Sequence, residues 1–288
     1  MDDPSIYDLH EPQWCPGCGN FALLDAVKEA LSELDIKPHE LLVACGIGQA
    51  GKFGFSLKAN LFAGLHGRML PLAWGMKIAN HKAPVLVVSG DGCFFAEGGN
   101  HFIHNLRRNL DVTMIASDNR VFGLTKGQAS PTAEAVVTTK IQPEGGGAAA
   151  LNPCALALVS GATFVARSFT GNREELIDLI KRAFRHRGAA FIDLLSPCVS
   201  FNQTNTFAWY RQHTAPLDAN HETTDFDRAL HLARCGDDQG RLVTGLLYQV
   251  AAPVFGEGRR VLQGEILARK MEARRPTEIK RFFPRFRG

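Results

Sequence analysis

The sequence predicts an α/β protein: a mostly parallel sheet with helices on both of its faces. Two observations carry this expectation. Apolar runs of strand length alternate along the chain with amphipathic stretches of helix length, and the strand-like runs lead into turns that hold most of the unusual residues. With 288 residues, 45% of them hydrophobic, the chain has material for one large core or two small ones.

The elements follow in order. Residues 21–34 (FALLDAVKEALSEL) place apolar side chains at helical spacing, and ELLVACGIG then reads as a buried strand entering a glycine turn. LPLAWGMKIAN suggests a helix, APVLVVSGDG a strand, GGNHFIHNLRRN a helix and DVTMIASDN a strand. Further on, NPCALALVSGA suggests a helix, TFVARSF a strand, REELIDLIKRAFRHRG a helix and AAFIDLLSPC a strand. Ligands of such a sheet belong at the carboxyl ends of its strands. Those ends carry GIGQAGK, GDGC, SDNRVFG and SPC. Residues 143–150 (PEGGGAAA) form a low-complexity patch that reads as a flexible loop.

Thirty-two Lys and Arg against 29 Asp and Glu leave a net charge of +3, so no chain-wide field argues for nucleic acid or a membrane. Only residues 269–288 are lopsided, with eight basic and two acidic side chains around Phe282, Phe283 and Phe286. They read as a solvated tail or as a docking element. No apolar run approaches the roughly 20 residues that span a bilayer. The opening MDDPSIYDLHEP is acidic and polar, unlike a signal peptide, so a cytoplasmic location is expected. Seven cysteines then argue for thiols, thiolate ligands or redox work rather than a disulfide framework.

Asp91 stands between two glycines at a strand end, where the backbone can approach a phosphate and the carboxylate can hold a hard divalent cation. Alone, GDG is more often a turn than a metal site. Twenty-eight residues on, Asn119 ends the next strand and offers the amide oxygen that Mg²⁺ accepts. Cys15 and Cys18 flank Pro-Gly, a spacing that lets two thiolates bind one metal centre; by itself it serves a zinc knuckle equally well.

The GDG and Asn119 pairing resembles the thiamine diphosphate motif. WCPGCGNF, GIG, GLHGRMLPLAWGMKIAN, GGNHFIHNLRRN, SDNRVFGLTKGQASPT, GATFVARSF and SPCVSFNQTNT, in that order, resemble the beta subunit of 2-oxoacid:ferredoxin oxidoreductases over residues 14–205, and LVTGLLYQVAAPVFGE resembles that family's closing strand segment. The resemblance implies the diphosphate-binding module of the thiamine diphosphate-binding fold. Residues 1–205 would form that domain, with the iron-sulfur ligands, and 206–288 an extension packing on it and ending in the basic tail. It makes Asp91, Asn119 and the Val121 carbonyl the Mg²⁺ ligands. Ile47, Gly48, Gln49, Ala50, His66, Gly92, Cys93, Gly123 and Leu124 fall around thiamine diphosphate, with Arg68 a further donor. Leu124 and Lys126 border the substrate, where Lys126 either pairs with a distal carboxylate, as in 2-oxoglutarate, or faces solvent.

The family holds a 4Fe-4S cluster on cysteines at four positions. Cys15, Cys18 and Cys198 match three of them, and the fourth holds Gln49. Cys93, after the GDG turn, is the expected replacement; Cys45 on its strand is the alternative, and an incomplete or absent cluster the third outcome. Cys154 and Cys235 are given no role. The implied activity is oxidative decarboxylation of a 2-oxoacid, 2-oxoglutarate slightly favoured, to acyl-CoA and CO₂. The implied partners are coenzyme A, ferredoxin and an alpha subunit whose glutamate activates the pyrimidine ring. A non-redox thiamine diphosphate-dependent decarboxylase subunit and a zinc-stabilised binding module are the alternatives.

Overall fold

The computed structural model of the chain describes residues 3–257 and 266–271. Its strands are β1 (Leu42–Cys45), β2 (Asn60–Ala63), β3 (Val85–Gly90), β4 (Val112–Asp118), β5 (Val121–Phe122), β6 (Gln128–Ala129), β7 (Phe164–Phe169), β8 (Ala189–Leu195), β9 (Thr214–Pro216) and β10 (Leu242–Gln249). The helices are α1 (Gly19–Glu33), α2 (Phe53–Ser56), α3 (Met69–Ala79), α4 (Gly99–Leu106), α5 (Pro153–Val159), α6 (Arg173–Arg185), α7 (Phe207–His213), α8 (Phe226–Cys235) and α9 (Leu267–Met271). The main sheet runs β2-β1-β3-β4-β8-β7-β10-β9, and β5 pairs with β6 in a short antiparallel hairpin. Neighbours in the main sheet are parallel except β7 and β10.

The central strands are buried along nearly their whole length, because helices cover both faces. Successive side chains alternate between the two layers. Val85 and Val87 of β3 join α3, α4, α5 and α8, whereas Leu86 and Val88 join α1 and α6. On the first face Phe94, Phe95, Phe102 and Phe191 meet edge to face, with the rings of Phe102 and Phe191 5.0 Å apart. On the second, α6 buries Leu176, Ile177 and Ile180. It carries Glu174 and Glu175 in its first turn and Arg182 and Arg185 in its last, the arrangement its dipole favours.

Register brings the site loops together. Cys45 pairs with Val88, Gly90 with Ser117 and Asp118 with Leu195, so the chain leaves β1, β3, β4 and β8 at one end of the sheet. The Asp118 carbonyl accepts the Ser196 N–H at 2.8 Å, which extends the β4–β8 ladder into the turns themselves.

Several features differ from the sequence reading. The four-residue strand β2 forms one edge of the sheet; it is mostly exposed, Phe62 at 51%, and its NLFA pattern lacks the apolar run that marked the inner strands. Phe55 and Leu65 on either side of it are also exposed. After Asp91 the chain makes a π-helical turn, Gly92–Glu97, before α4. The closing strand, β10, runs antiparallel to β7. Residues 143–150 are, in agreement with the sequence, an irregular and mostly exposed loop. Most of the basic tail, with Phe282, Phe283 and Phe286, lies outside the described residues. No helix among those described is long and apolar enough to cross a membrane.

Candidate active site

The strand-end loops enclose two adjoining clefts. One is lined by Ile47, Gly48, Gln49, Ala50, His66, Asp91, Gly92, Cys93, Asn119, Val121, Gly123 and Leu124, together with Gly90, Phe122 and Thr125. Except for Arg68, every residue expected to hold thiamine diphosphate and Mg²⁺ therefore lines one space. Two glycines build it. Gly48 has φ +109°, a left-handed conformation that opens the loop after β1, and a Cβ on Gly92 would stand 2.2 Å from the Phe122 ring. A separate, larger cleft beside Lys77, Asp111 and Arg187 contains none of these residues.

Asp91 is buried at the floor. Its Oδ1 accepts the Gly92 N–H at 2.9 Å, and its Oδ2 accepts the Arg120 N–H at 3.1 Å, the Thr132 hydroxyl at 2.6 Å and the Ser130 hydroxyl. The Thr132 Oγ1 also lies 2.6 Å from Asp118 Oδ1. Burial, and then the neighbouring Asp118 charge, push the Asp91 carboxyl up to about 8. A divalent cation would offset both effects, which is why this floor fits Mg²⁺.

The turn after β4 stands opposite. Asn119 Oδ1 accepts the Val121 N–H at 3.0 Å, and between the two Arg120 sits at φ +60°. His66, at the rim of the cleft, has its Nδ1 2.8 Å from Glu97, a close approach without hydrogen-bond geometry. Arg68 is turned away: its Nη1 pairs with His101 Nε2 at 2.9 Å. Leu124 is 41% exposed on the cleft wall. Lys126 does not line the cleft. It lies at the tip of the β5–β6 loop at φ +81°, with its N–H on the Gly123 carbonyl at 3.2 Å.

The second cleft is lined by Trp14, Cys15, Cys18, Cys198 and the 196–201 loop, and it shares Gln49, Asn119 and Gly123 with the first. A tight turn closes Cys15 onto Cys18, whose N–H donates to the Cys15 carbonyl at 3.0 Å, and Cys18 immediately precedes α1. Burial, and further the nearby Cys198 and Cys15 thiols, raise the Cys18 pKa. Among the described residues no three His, Cys, Asp or Glu side chains close into a metal-ion ligand set, so the thiols share a cleft without converging on one point.

The structure does not bring Cys93 to this group. The turn after Asp91 points its thiol into the core, where the sulfur accepts the Gly67 N–H at 3.0 Å and lies 3.7 Å from the Met69 sulfur. Cys45 does not line the cleft either; it is fully buried, and its thiol is pushed up to about 12 by that burial. Gln49 does reach it. Its backbone carbonyl accepts the Trp14 indole N–H at 2.8 Å, and its buried Oε1 has no hydrogen-bond partner among the described residues. A Cβ on Gly123 would lie 3.8 Å from both Gln49 Cγ and Cys198 Sγ, which places these two side chains against the same wall. Three thiols and the Gln49 carboxamide thus border one cleft.

Sequence reasoning missed Ser130, Thr132, Arg120 and Asn202, the last donating to the Asn119 carbonyl at 3.1 Å. Ser130 and Thr132 stand in ASPT, but nothing in a linear pattern says that those hydroxyls fold back onto a carboxylate 39 and 41 residues earlier.

Residues 46–194 match the family profile for the thiamine pyrophosphate enzyme C-terminal TPP-binding domain, and residues 198–263 match that for the C-terminal part of the pyruvate ferredoxin oxidoreductase beta chain. Subunit beta of 2-oxoacid:ferredoxin oxidoreductase 2 from Aeropyrum pernix is 45% identical over 206 residues, 72% of this chain and 67% of that protein. The 2-oxoglutarate synthase subunit KorB of Methanocaldococcus jannaschii is 32% identical over 249 residues, 85% of this chain and 90% of the relative. Among solved structures, the chain is similar to one from the 2-oxoglutarate:ferredoxin oxidoreductase of Magnetococcus marinus with 2-oxoglutarate, coenzyme A and succinyl-CoA bound. The TM-score is 0.89 at 34% identity, covering 98% of this chain and 96% of that one.

Proposed function

The chain belongs to the beta subunits of the 2-oxoacid:ferredoxin oxidoreductases, and on that premise we propose that it carries thiamine diphosphate, Mg²⁺ and an iron-sulfur cluster for the oxidative decarboxylation of a 2-oxoacid. The products are acyl-CoA, CO₂ and two electrons that leave one at a time for ferredoxin. 2-Oxoglutarate is the favoured substrate, since the Magnetococcus marinus structure has it bound and the Methanocaldococcus jannaschii relative is named for it. One observation carries the reading: the cofactor cleft and the cysteine cleft share Gln49, Asn119 and Gly123 as a common wall.

When bound, thiamine diphosphate supplies the carbon nucleophile and electron sink, and the cluster accepts electrons singly. The protein's residues position and neutralise. Asp91, Asn119 and the Val121 carbonyl would hold the Mg²⁺, and backbone N–H groups of the Gly48–Ala50 and Gly92 turns would face diphosphate oxygens. His66 would add a donor at the rim. Cys15, Cys18 and Cys198 would hold the cluster, with Gln49 at its fourth corner. Lys126 would meet the distal carboxylate of 2-oxoglutarate once substrate enters beside Leu124. An alpha subunit would supply the glutamate and close the pyrimidine side.

The test is anaerobic purification of the chain with its partner subunit, followed by thiamine diphosphate, magnesium, iron and sulfide analysis. The expected result is stoichiometric thiamine diphosphate together with an iron-sulfur EPR signal on reduction. Thiamine diphosphate without iron would instead support the non-redox decarboxylase, and zinc without thiamine diphosphate the binding module.

A further inference from the structure

Arg120 sits between two of the groups read above as Mg²⁺ ligands, Asn119 and Val121, in a left-handed backbone conformation, φ +60°. A glycine adopts that conformation without strain and an arginine does not. The side chain is nevertheless held tightly. Its guanidinium lies 5.6 Å from the Trp209 ring and 5.7 Å from the Tyr210 ring, both on α7, and its Nη1 pairs with Glu134 at 2.8 Å. At the other end, the Arg120 N–H points to Asp91 Oδ2 at 3.1 Å and Asp118 Oδ1 at 3.2 Å.

A second tether comes from the same stretch of chain. Asn202 donates to the Asn119 carbonyl at 3.1 Å, and its own Oδ1 is fixed by the N–H groups of Thr204 and Asn205. Thr206 then caps α7 through the Trp209 N–H at 3.2 Å. The segment between Cys198 and Tyr210 therefore grips the 118–121 turn from both sides, at a backbone carbonyl and at a guanidinium.

We propose that Arg120 is a positioning residue: through its guanidinium, α7 and Glu134 hold the strained turn that presents Asn119 and the Val121 carbonyl to the cation. The inference rests on the cofactor reading of the preceding subsection. A competing role, balancing the buried carboxylates Asp91, Asp118 and Asp193, predicts the opposite sign. Removing a cation that only balances charge leaves the floor more negative, and Mg²⁺ then binds more tightly. Removing a clamp loosens the ligands, and Mg²⁺ binds more weakly.

The experiment is calorimetric titration of Mg²⁺ into the chain assembled with its alpha subunit at saturating thiamine diphosphate, with melting temperatures recorded in the absence of both ligands. Arg120→Gly relaxes the backbone and is expected to fold, with the half-saturating Mg²⁺ concentration raised roughly tenfold, the order expected when a cation–π and a charge-assisted interaction are removed together. Arg120→Lys should fall between it and wild type, and Trp209→Ala should shift the value the same way by a smaller factor. Unchanged or tighter Mg²⁺ binding in Arg120→Gly overturns the proposal. If that variant does not fold, unchanged binding in Trp209→Ala overturns it. A wild-type assembly that takes up no Mg²⁺ with thiamine diphosphate overturns the cofactor reading and this inference with it; wild-type uptake with indifferent variants overturns this inference alone.

Discussion

Thr132 donates to Asp91 across 2.6 Å, although 41 residues separate them in sequence. The same oxygen stands 2.6 Å from Asp118, and a hydroxyl has one proton, so it satisfies only one of two ionised carboxylates. The cofactor-free floor therefore favours retention of a proton.

That proton makes stability depend on pH. Because the Asp91 carboxyl is raised in the folded chain, its contribution is complete below the ordinary carboxylate value of about 3.9 and is lost as pH rises through the raised value. Melting of the cofactor-free chain between pH 5 and pH 8 should show stability falling, with a slope approaching ~1.4 kcal/mol per pH unit for one retained proton. Asp91→Asn should flatten that slope and abolish Mg²⁺ uptake. An unaltered slope in the variant would place the proton elsewhere.

Cys93 and Gln49 should separate in iron analysis. Cys93→Ser is expected to keep its iron, because the thiol faces Gly67 and Met69, whereas serine at Cys15, Cys18 or Cys198 should strip it. Gln49→Cys should make the cluster more resistant to air, read as slower loss of its EPR signal. Loss of iron in Cys93→Ser would return that residue to the ligand set.

Gly92→Ala puts a methyl group where the Phe122 ring stands 2.2 Å away. Overpacking of this kind costs about 1–3 kcal/mol and should abolish measurable thiamine diphosphate binding. Adding Phe122→Ala should recover part of the melting temperature, since the two side chains share one space.

Lys126→Ala in the assembled enzyme should raise KM for 2-oxoglutarate about fivefold, the order of one exposed ion pair, and leave KM for an uncharged-tail 2-oxoacid unchanged. Equal changes for both substrates would mean that the loop, and not the ammonium group, was disturbed.

Much of this was legible because strand ends are punctuated. The glycines and polar residues that close β1, β3, β4 and β8 are chemically conspicuous, and a parallel sheet gathers such ends on one side, so Asp91, Asn119 and Gly48 could be grouped from sequence. What escaped depends on directions that a linear pattern does not contain. The fate of the Cys93 side chain is set by an irregular π-helical turn, the reversal of β10 by its pairing with β7, and the roles of Ser130 and Asn202 by loops returning from elsewhere. The short strand β2 was lost for another reason: a half-exposed edge carries little apolar signal.

That edge has a practical consequence. Among the described residues, β2 offers one side of its backbone to no neighbour in the sheet, and Phe55, Phe62 and Leu65 surround it with exposed apolar surface. Bare strand borders of this kind template self-association. Overproduced without a companion polypeptide, the chain should become turbid as its concentration rises, and co-expression with one that shields this border should keep the solution clear.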